Sequence, residues 1–205
     1  MEFRTEDLGK CYGGKYIFRH LNLCLQEGGT YCLMAPSGMG KTTLFRILMG
    51  LEQADEGRLI GFEKVRFAPV FQEDRLCMGM GAIKNIRLIR PELSEETIRR
   101  ELLQLLPEDS LSQPVSEFSG GMRRRAALMR ALLSAGDFLL FDEPFEGLDE
   151  KAREKAMDLV IGKKGGRTLL FASHYPEEAR ILGAEVIGFP SAPSDKTLQP
   201  DRSSP

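Results

Sequence analysis

Basic charge is not in excess in this sequence: 28 Lys and Arg stand against 30 Asp and Glu, a net charge of -2. Without a global positive field the chain is a poor match to a nucleic-acid backbone, and no nucleic acid is expected as a partner. The four cysteines, Cys11, Cys24, Cys32 and Cys77, make no CxxC pair and have no histidine cluster beside them. That argues against a zinc site or a disulfide framework, and reduced thiols are expected. No apolar run approaches the roughly 18 to 20 residues of a membrane-spanning helix. Met1 to Asp7 has no basic region leading into an apolar stretch, so no secretory signal is expected. A soluble chain follows, whose membrane role, if any, runs through a partner. No internal repeat is visible.

What is there, in 205 residues, is enough to bury the core of a single α/β domain. Tyr16 to Leu25 alternates as a strand, ends at Glu27-Gly28-Gly29, and is followed by the buried strand Thr30 to Met34. A glycine-rich turn, Pro36 to Gly40, opens a helix over Lys41 to Met49 that Gly50 closes. Arg58 to Phe71 is broken by Gly61 and Pro69 and suits short strands, while Ala82 to Ile89 and Glu95 to Leu106 have helical spacing. Beyond Pro114 the order is helix Gly120 to Ser134, strand Phe138 to Phe141, helix Glu150 to Ile161, strand Thr168 to Ala172, helix Pro176 to Leu182 and strand Glu185 to Phe189. Such alternation predicts a mainly parallel sheet covered on both faces. Ser191 to Pro205 is rich in Ser and Pro and is expected to be disordered.

The turn before the first helix nearly completes the phosphate-loop pattern G-x-x-x-x-G-K-[ST]. There, backbone amides wrap phosphates, the lysine reaches the β and γ oxygens, and the hydroxyl ligates Mg²⁺. Gly40, Lys41 and Thr42 fit, but Ala35 stands at the first glycine. Its methyl is harmless if the position keeps a negative φ and costly if it needs the left-handed region. Taken alone, the stretch also reads as a glycine-rich turn capping an ordinary helix.

Ala35-Pro36-Ser37-Gly38-Met39-Gly40-Lys41-Thr42-Thr43, Gln72, Phe118-Ser119-Gly120-Gly121-Met122, Asp142-Glu143-Pro144, Gly147-Leu148-Asp149 and His174 together resemble the ATP-binding cassette (ABC) ATPases. The likeness runs from about Phe3 to Phe189. It implies an α/β P-loop NTPase with a mainly parallel sheet, an antiparallel β subdomain and a helical signature subdomain at about 73–135, within one domain over 1–190. The interval from Lys41 to Gln72 is short and implies a trimmed sheet.

The same resemblance implies a site for ATP and Mg²⁺. Ser37, Gly38, Met39, Gly40, Lys41, Thr42 and Thr43 would cradle phosphates, and Tyr12 would stack on adenine, although a core tyrosine is the alternative. Asp142, at a strand end, would join Thr42 and Gln72 in the Mg²⁺ shell, and Glu143 would polarise the attacking water. Solvated acids in a turn are the bland reading of that pair. Lys41, Gln72 and His174 would stabilise the transferred phosphoryl, His174 being otherwise a surface residue. Ser119, Gly120 and Gly121 would form an anion site at a helix start facing the partner's γ-phosphate, and Asp149 would link the two sites. Phe118 and Met122 depart from the usual Leu-Ser-Gly-Gly-Gln signature. Arg123, Arg124 and Arg125 fan around a helix and are expected to be solvated or salt-bridged, Arg124 standing where glutamine is frequent.

The function so implied is the ATP-hydrolysing subunit of a transporter, importer-like and near the nitrate, sulfonate and taurine branch. It would dimerise head to tail with itself or with a related cassette, drive integral-membrane permease subunits and sit on the cytoplasmic face of the membrane, a solute-binding protein being a further candidate partner. Leu76, Met78 and Met80 form either a permease-facing apolar groove or simple core. No C-terminal regulatory domain is expected after Phe189. A soluble cassette ATPase of translation or DNA repair is the alternative, but no second cassette or long coiled-coil insertion is present in this sequence. A low-activity heterodimer partner is another, argued against by the retention of Lys41, Ser119, Asp142, Glu143 and His174.

Overall fold

The computed structural model describes residues 1–189, so the expected tail from Ser191 lies outside them. Two sheets form its frame. Strands β1 (Glu2–Tyr12), β2 (Lys15–Gln26) and β4 (Glu56–Ile60) make an antiparallel sheet in the order β2-β1-β4. Strands β3 (Thr30–Met34), β5 (Phe67–Val70), β6 (Phe138–Asp142), β7 (Thr168–Ser173) and β8 (Glu185–Gly188) make a parallel sheet in the order β5-β6-β7-β3-β8. The short interval between Lys41 and Gln72 contributes only β4 and β5, one to each sheet.

Every residue of β6 and β7 is buried, as a sheet covered on both faces requires. Their side chains sort with period two. Leu139, Phe141, Leu169 and Phe171 enter a core shared with the helices, α2 (Ala82–Arg87) through α6 (Pro176–Ile181). Phe138, Leu140, Leu170 and Ala172 enter a second core with the antiparallel sheet and Leu44, Phe45, Ile47 and Leu48 of α1 (Lys41–Leu48). Phe3, Phe62, Phe67 and Phe138 form an aromatic cluster where the two sheets meet, with ring centroids 5.2 to 6.4 Å apart.

Strand β1 has no counterpart in the sequence reading. Its register with β2 shifts between Thr5 and Leu8, and Asp7 sits at φ 47°. The bulge breaks the alternation that marks a half-buried strand, so that Leu8, Gly9 and Lys10 are buried in succession. Helix α3 (Glu95–Leu102) is shorter than its apolar spacing suggests, because Leu103 to Leu106 continue only as turns before Pro107. Helix α5 (Glu150–Lys164) runs three residues past Ile161 to a glycine, Gly165, at φ 60°.

Parallel pairing decides where the chemistry can sit. Strands β5, β6, β7 and β3 are adjacent and point the same way. Their carboxyl ends therefore deliver Gln72, Asp142-Glu143, His174 and the loop Ala35–Gly40 to one edge of the sheet.

Candidate active site

The loop after β3 leads into α1 without a side-chain cap, Gly40 being the N-cap at φ 96°. The first amides of α1 thus lack side-chain partners and, with the dipole, favour an anion. Ala35 is buried and is not among the residues with positive φ, which is why its methyl is tolerated. Gly40 is different. A Cβ there would stand 2.5 Å from Cγ2 of Ile17.

A cavity of about 260 Å³ opens on this loop, and Ser37, Gly38, Gly40, Lys41, Thr42, Thr43, Gln72 and Glu143 are in its wall together with Ile17. Lys41 is buried and donates from Nζ to the carbonyls of Ala35 (2.7 Å) and Pro36 (3.2 Å), with Oε1 of Glu143 at 3.5 Å. Thr42 Oγ1 donates to Asp142 Oδ2 at 2.6 Å. Burial pushes the Asp142 carboxyl above its ordinary range, and the Thr42 hydrogen bond works against that. Glu143 itself adopts φ 49°, a left-handed conformation that costs a residue with a Cβ and recurs where function over-determines the backbone. His174 Nδ1 lies 3.9 Å from the same Glu143 oxygen. Glu146, which the sequence did not single out, stands against Glu143, and that neighbouring carboxyl raises its pKa.

Tyr12 is 47% exposed, so the core reading of this residue fails. Its hydroxyl binds Glu52, which also pairs with Lys10 and Arg46, and Lys10 Nζ lies 5.0 Å from the centre of its ring. Tyr12 and Met39 are not in the wall of the loop cavity.

Ser119 caps α4 (Gly120–Leu133), its Oγ accepting from the Met122 amide at 3.2 Å, and Phe118 is buried as an apolar anchor. Ser119 and Gly120 are exposed, and neither they nor Gly121 line the cavity of their own phosphate loop. Asp149 caps α5 by accepting from Ala152 N at 2.9 Å, and a Cβ on Gly121 would touch the carbonyl of Gly147 at 3.5 Å. The signature and the Asp149 loop are thus neighbours at a place apart from the phosphate loop.

Of the two alternatives for the arginine run, the salt-bridged one holds for Arg123 and Arg124, which lie 3.9 and 3.5 Å from the Asp74 carboxylate. Arg124 is also buried and bonded to backbone of the Gln72 segment, which the sequence did not suggest. The groove reading is also modified, because Leu76 is buried while Met78 and Met80 are exposed. The four cysteines are free, and burial pushes the Cys32 thiol up to about 12, which leaves it inert.

Residues 18–146 match the sequence model of the ABC transporter family. The chain belongs to the ABC transporter family. This cassette is 36% identical over 192 residues to the taurine import ATP-binding protein of Pseudomonas aeruginosa, covering 87% of its own length and 73% of the relative's. It is 35% identical over 206 residues to an aliphatic sulfonates import ATP-binding protein of Pseudomonas syringae pv. syringae, covering 97% and 84%. Among solved structures it superposes with a TM-score of 0.78 on a dimeric bacterial ABC transporter cassette, at 26% identity over 91% of this chain and 94% of that one. A dimeric cassette in a post-hydrolysis state bound to ADP and Pi gives a TM-score of 0.79 at 25% identity, with the same coverage. The fold is that of an α/β P-loop NTPase, and the cassette is an ATP-binding ATPase subunit. No helix among the described residues is long and apolar enough to cross a membrane.

Proposed function

We propose that two copies of this cassette, or one copy and a related cassette, close around two ATP molecules. Each nucleotide would lie between the phosphate loop of one chain and Ser119-Gly120-Gly121 of the other. The observation that carries this reading is the separation just described: an exposed, anion-competent helix start that takes no part in the phosphate cavity of its own chain. A second chain is the direct way to bring it to a γ-phosphate.

Within each site, Lys41 exchanges the Ala35 and Pro36 carbonyls for β and γ phosphate oxygens, leaving Glu143 to accept the proton of the attacking water. His174, within reach of Glu143, orients it and contacts the γ-phosphate, while Tyr12 offers its exposed ring to adenine. The Thr42 hydroxyl, the Asp142 carboxylate and the Gln72 amide are oxygen donors of the kind a hard cation takes, and the 2.6 Å contact of the first two fits a shared Mg²⁺. Bound there, Mg²⁺ would neutralise charge on the β and γ phosphates.

Closure with ATP and opening after hydrolysis move the helical portion, about 73–135, against permease subunits in the membrane, for which the exposed Met78 and Met80 are an adaptable contact. The cassette would then lie on the cytoplasmic face. The named relatives favour import of a small sulfur-containing acid or a similar anion, with a solute-binding protein delivering it. Light scattering after size exclusion tests the core of this proposal: Glu143→Gln should dimerise with Mg-ATP and stay monomeric without it, while the wild type turns ATP over. A Glu143→Gln chain that binds ATP and remains monomeric at every concentration would refute closure by this chain alone.

A further inference from the structure

The segment that carries Gln72 is held by arginines of the signature helix. Arg124 is 8% exposed, and its guanidinium donates from Nη1 to the carbonyl of Phe71 (2.6 Å) and from Nη2 to the carbonyl of Gln72 (2.7 Å). Its Nη1 also lies 3.5 Å from Oδ1 of Asp74. That carboxylate oxygen is buried and accepts no hydrogen bond among the described residues, so the nearby arginine charges compensate it, Arg124 first and then Arg123, whose Nε lies 3.9 Å from Asp74 Oδ2. Two turns along the same helix, Arg130 donates to the carbonyls of Arg75 (2.8 Å) and Asp74 (3.2 Å). In the segment from Phe71 to Arg75, the carbonyls of Phe71, Gln72, Asp74 and Arg75 are thus all tied to α4. Arg75 within it sits at φ 44°, a conformation that a free loop would not keep.

We propose that Arg124 is a positioning residue for the hydrolytic reaction: its two-pronged grip on the carbonyls of Phe71 and Gln72 sets where the Gln72 side chain stands in the phosphate cavity. A planar fork with two parallel donors fixes both the place and the direction of the peptide it holds, which a lysine or an amide cannot do. Because the grip starts five residues from Ser119, the Gln72 loop follows any movement of the signature helix as part of the same body.

This inference rests on the ATPase reading and on Gln72 acting in it, and the test separates the two. Steady-state ATPase kinetics are measured for the wild type, Gln72→Ala, Arg124→Gln and the double variant, with melting curves for each. Arg124→Gln is expected to lower kcat about tenfold with KM for ATP changed less than about twofold, as for loss of an interaction used in the chemical step. The double variant is expected to be no slower than Gln72→Ala, since residues that act through one another do not multiply their effects. Arg124→Lys, which keeps the charge by Asp74 and loses the fork, is expected to resemble Arg124→Gln. A wild type without turnover, or a Gln72→Ala variant with wild-type turnover, would sink the underlying reading. Unchanged kcat in Arg124→Gln, or multiplying effects in the double variant, would overturn the positioning role alone. If Arg124→Gln and Arg124→Lys both fail to fold, the residue is structural and the proposal is wrong.

Discussion

Lys41 Nζ stands 3.5 Å from Oε1 of Glu143 while donating to two carbonyls of its own loop. The lysine that should meet phosphate and the acid that should meet water are therefore each other's neighbours without nucleotide. Removing the Glu143 charge leaves Lys41 its two carbonyls, so folding and ATP binding should survive. Glu143→Gln is expected to bind ATP with near wild-type affinity and to lose hydrolysis by roughly 10²- to 10⁴-fold, the usual worth of a positioned general base. Isothermal titration beside a phosphate-release assay checks both halves.

Lys41→Ala should behave in the opposite way. It strips a buried cation from two carbonyls and from Glu143, leaving polar groups unpartnered at a cost of about 1–3 kcal/mol. ATP binding should fall below detection in the same titration, and chemical denaturation should report the lower stability.

Gly38 and Gly40 distinguish backbone strain from steric exclusion. Both have positive φ, but a Cβ on Gly38 would meet nothing within 4 Å, whereas one on Gly40 would strike Ile17 at 2.5 Å and Phe18 at 3.2 Å. Gly38→Ala is expected to cost about 1 kcal/mol from the left-handed conformation alone. Gly40→Ala should cost more, on the order of 3 kcal/mol, and displace the loop. Melting curves of the two variants, with and without Mg-ATP, measure the contrast. Equal losses would mean that Ile17 yields.

How much of this was legible in the sequence follows from what each residue pairs with. Strands β6 and β7 are short apolar runs bounded by turn signals, and their order fixed which loops would meet at one sheet edge. Lys41, Thr42, Gln72 and Glu143, singled out by the phosphate-loop pattern and the family resemblance, do share a cavity wall. Strand β1 was not legible, because its bulge at Asp7 puts Leu8, Gly9 and Lys10 inside in succession. For Arg124 the salt-bridged alternative holds, through Asp74, but its bonds to the carbonyls of Phe71 and Gln72 were not legible, since no side-chain pattern announces them. The Glu52 contact of Tyr12 was hidden in the same way, by a partner 40 residues distant.

Asp142→Asn should separate stability from metal dependence. The carboxyl is 4% exposed and burial raises its pKa, so its charge opposes folding when no cation is bound. Asparagine keeps an oxygen for the Thr42 hydroxyl and removes the charge. The variant is expected to melt higher than the wild type in EDTA. It should fail to show the added stability that Mg-ATP gives, about 2.7 kcal/mol for a ligand at a hundred times its dissociation constant. A wild-type response to Mg-ATP in the variant would exclude Asp142 from the metal shell.

Glu178 provides the pH dependence. It is 4% exposed and accepts from Ser173 Oγ at 2.6 Å, while Arg153 Nε lies 3.9 Å away. Burial raises its pKa, and the Ser173 bond and Arg153 oppose the rise without cancelling it. An acid with a raised folded-state pKa binds its proton more tightly folded than unfolded. Its favourable contribution is complete below the ordinary carboxylate range and is lost as pH climbs from that range through the raised value. At neutral pH the folded chain therefore holds a carboxylate that the unfolded chain solvates better. Glutamine cannot ionise, yet its amide oxygen still accepts the Ser173 hydroxyl. Glu178→Gln should accordingly be more stable than the wild type at neutral pH, with the difference shrinking as pH falls to about 4, near the unperturbed value of a glutamate. Urea denaturation at both ends of that interval decides it: a variant less stable at neutral pH would mean that the pairing with Arg153 outweighs the burial of the charge.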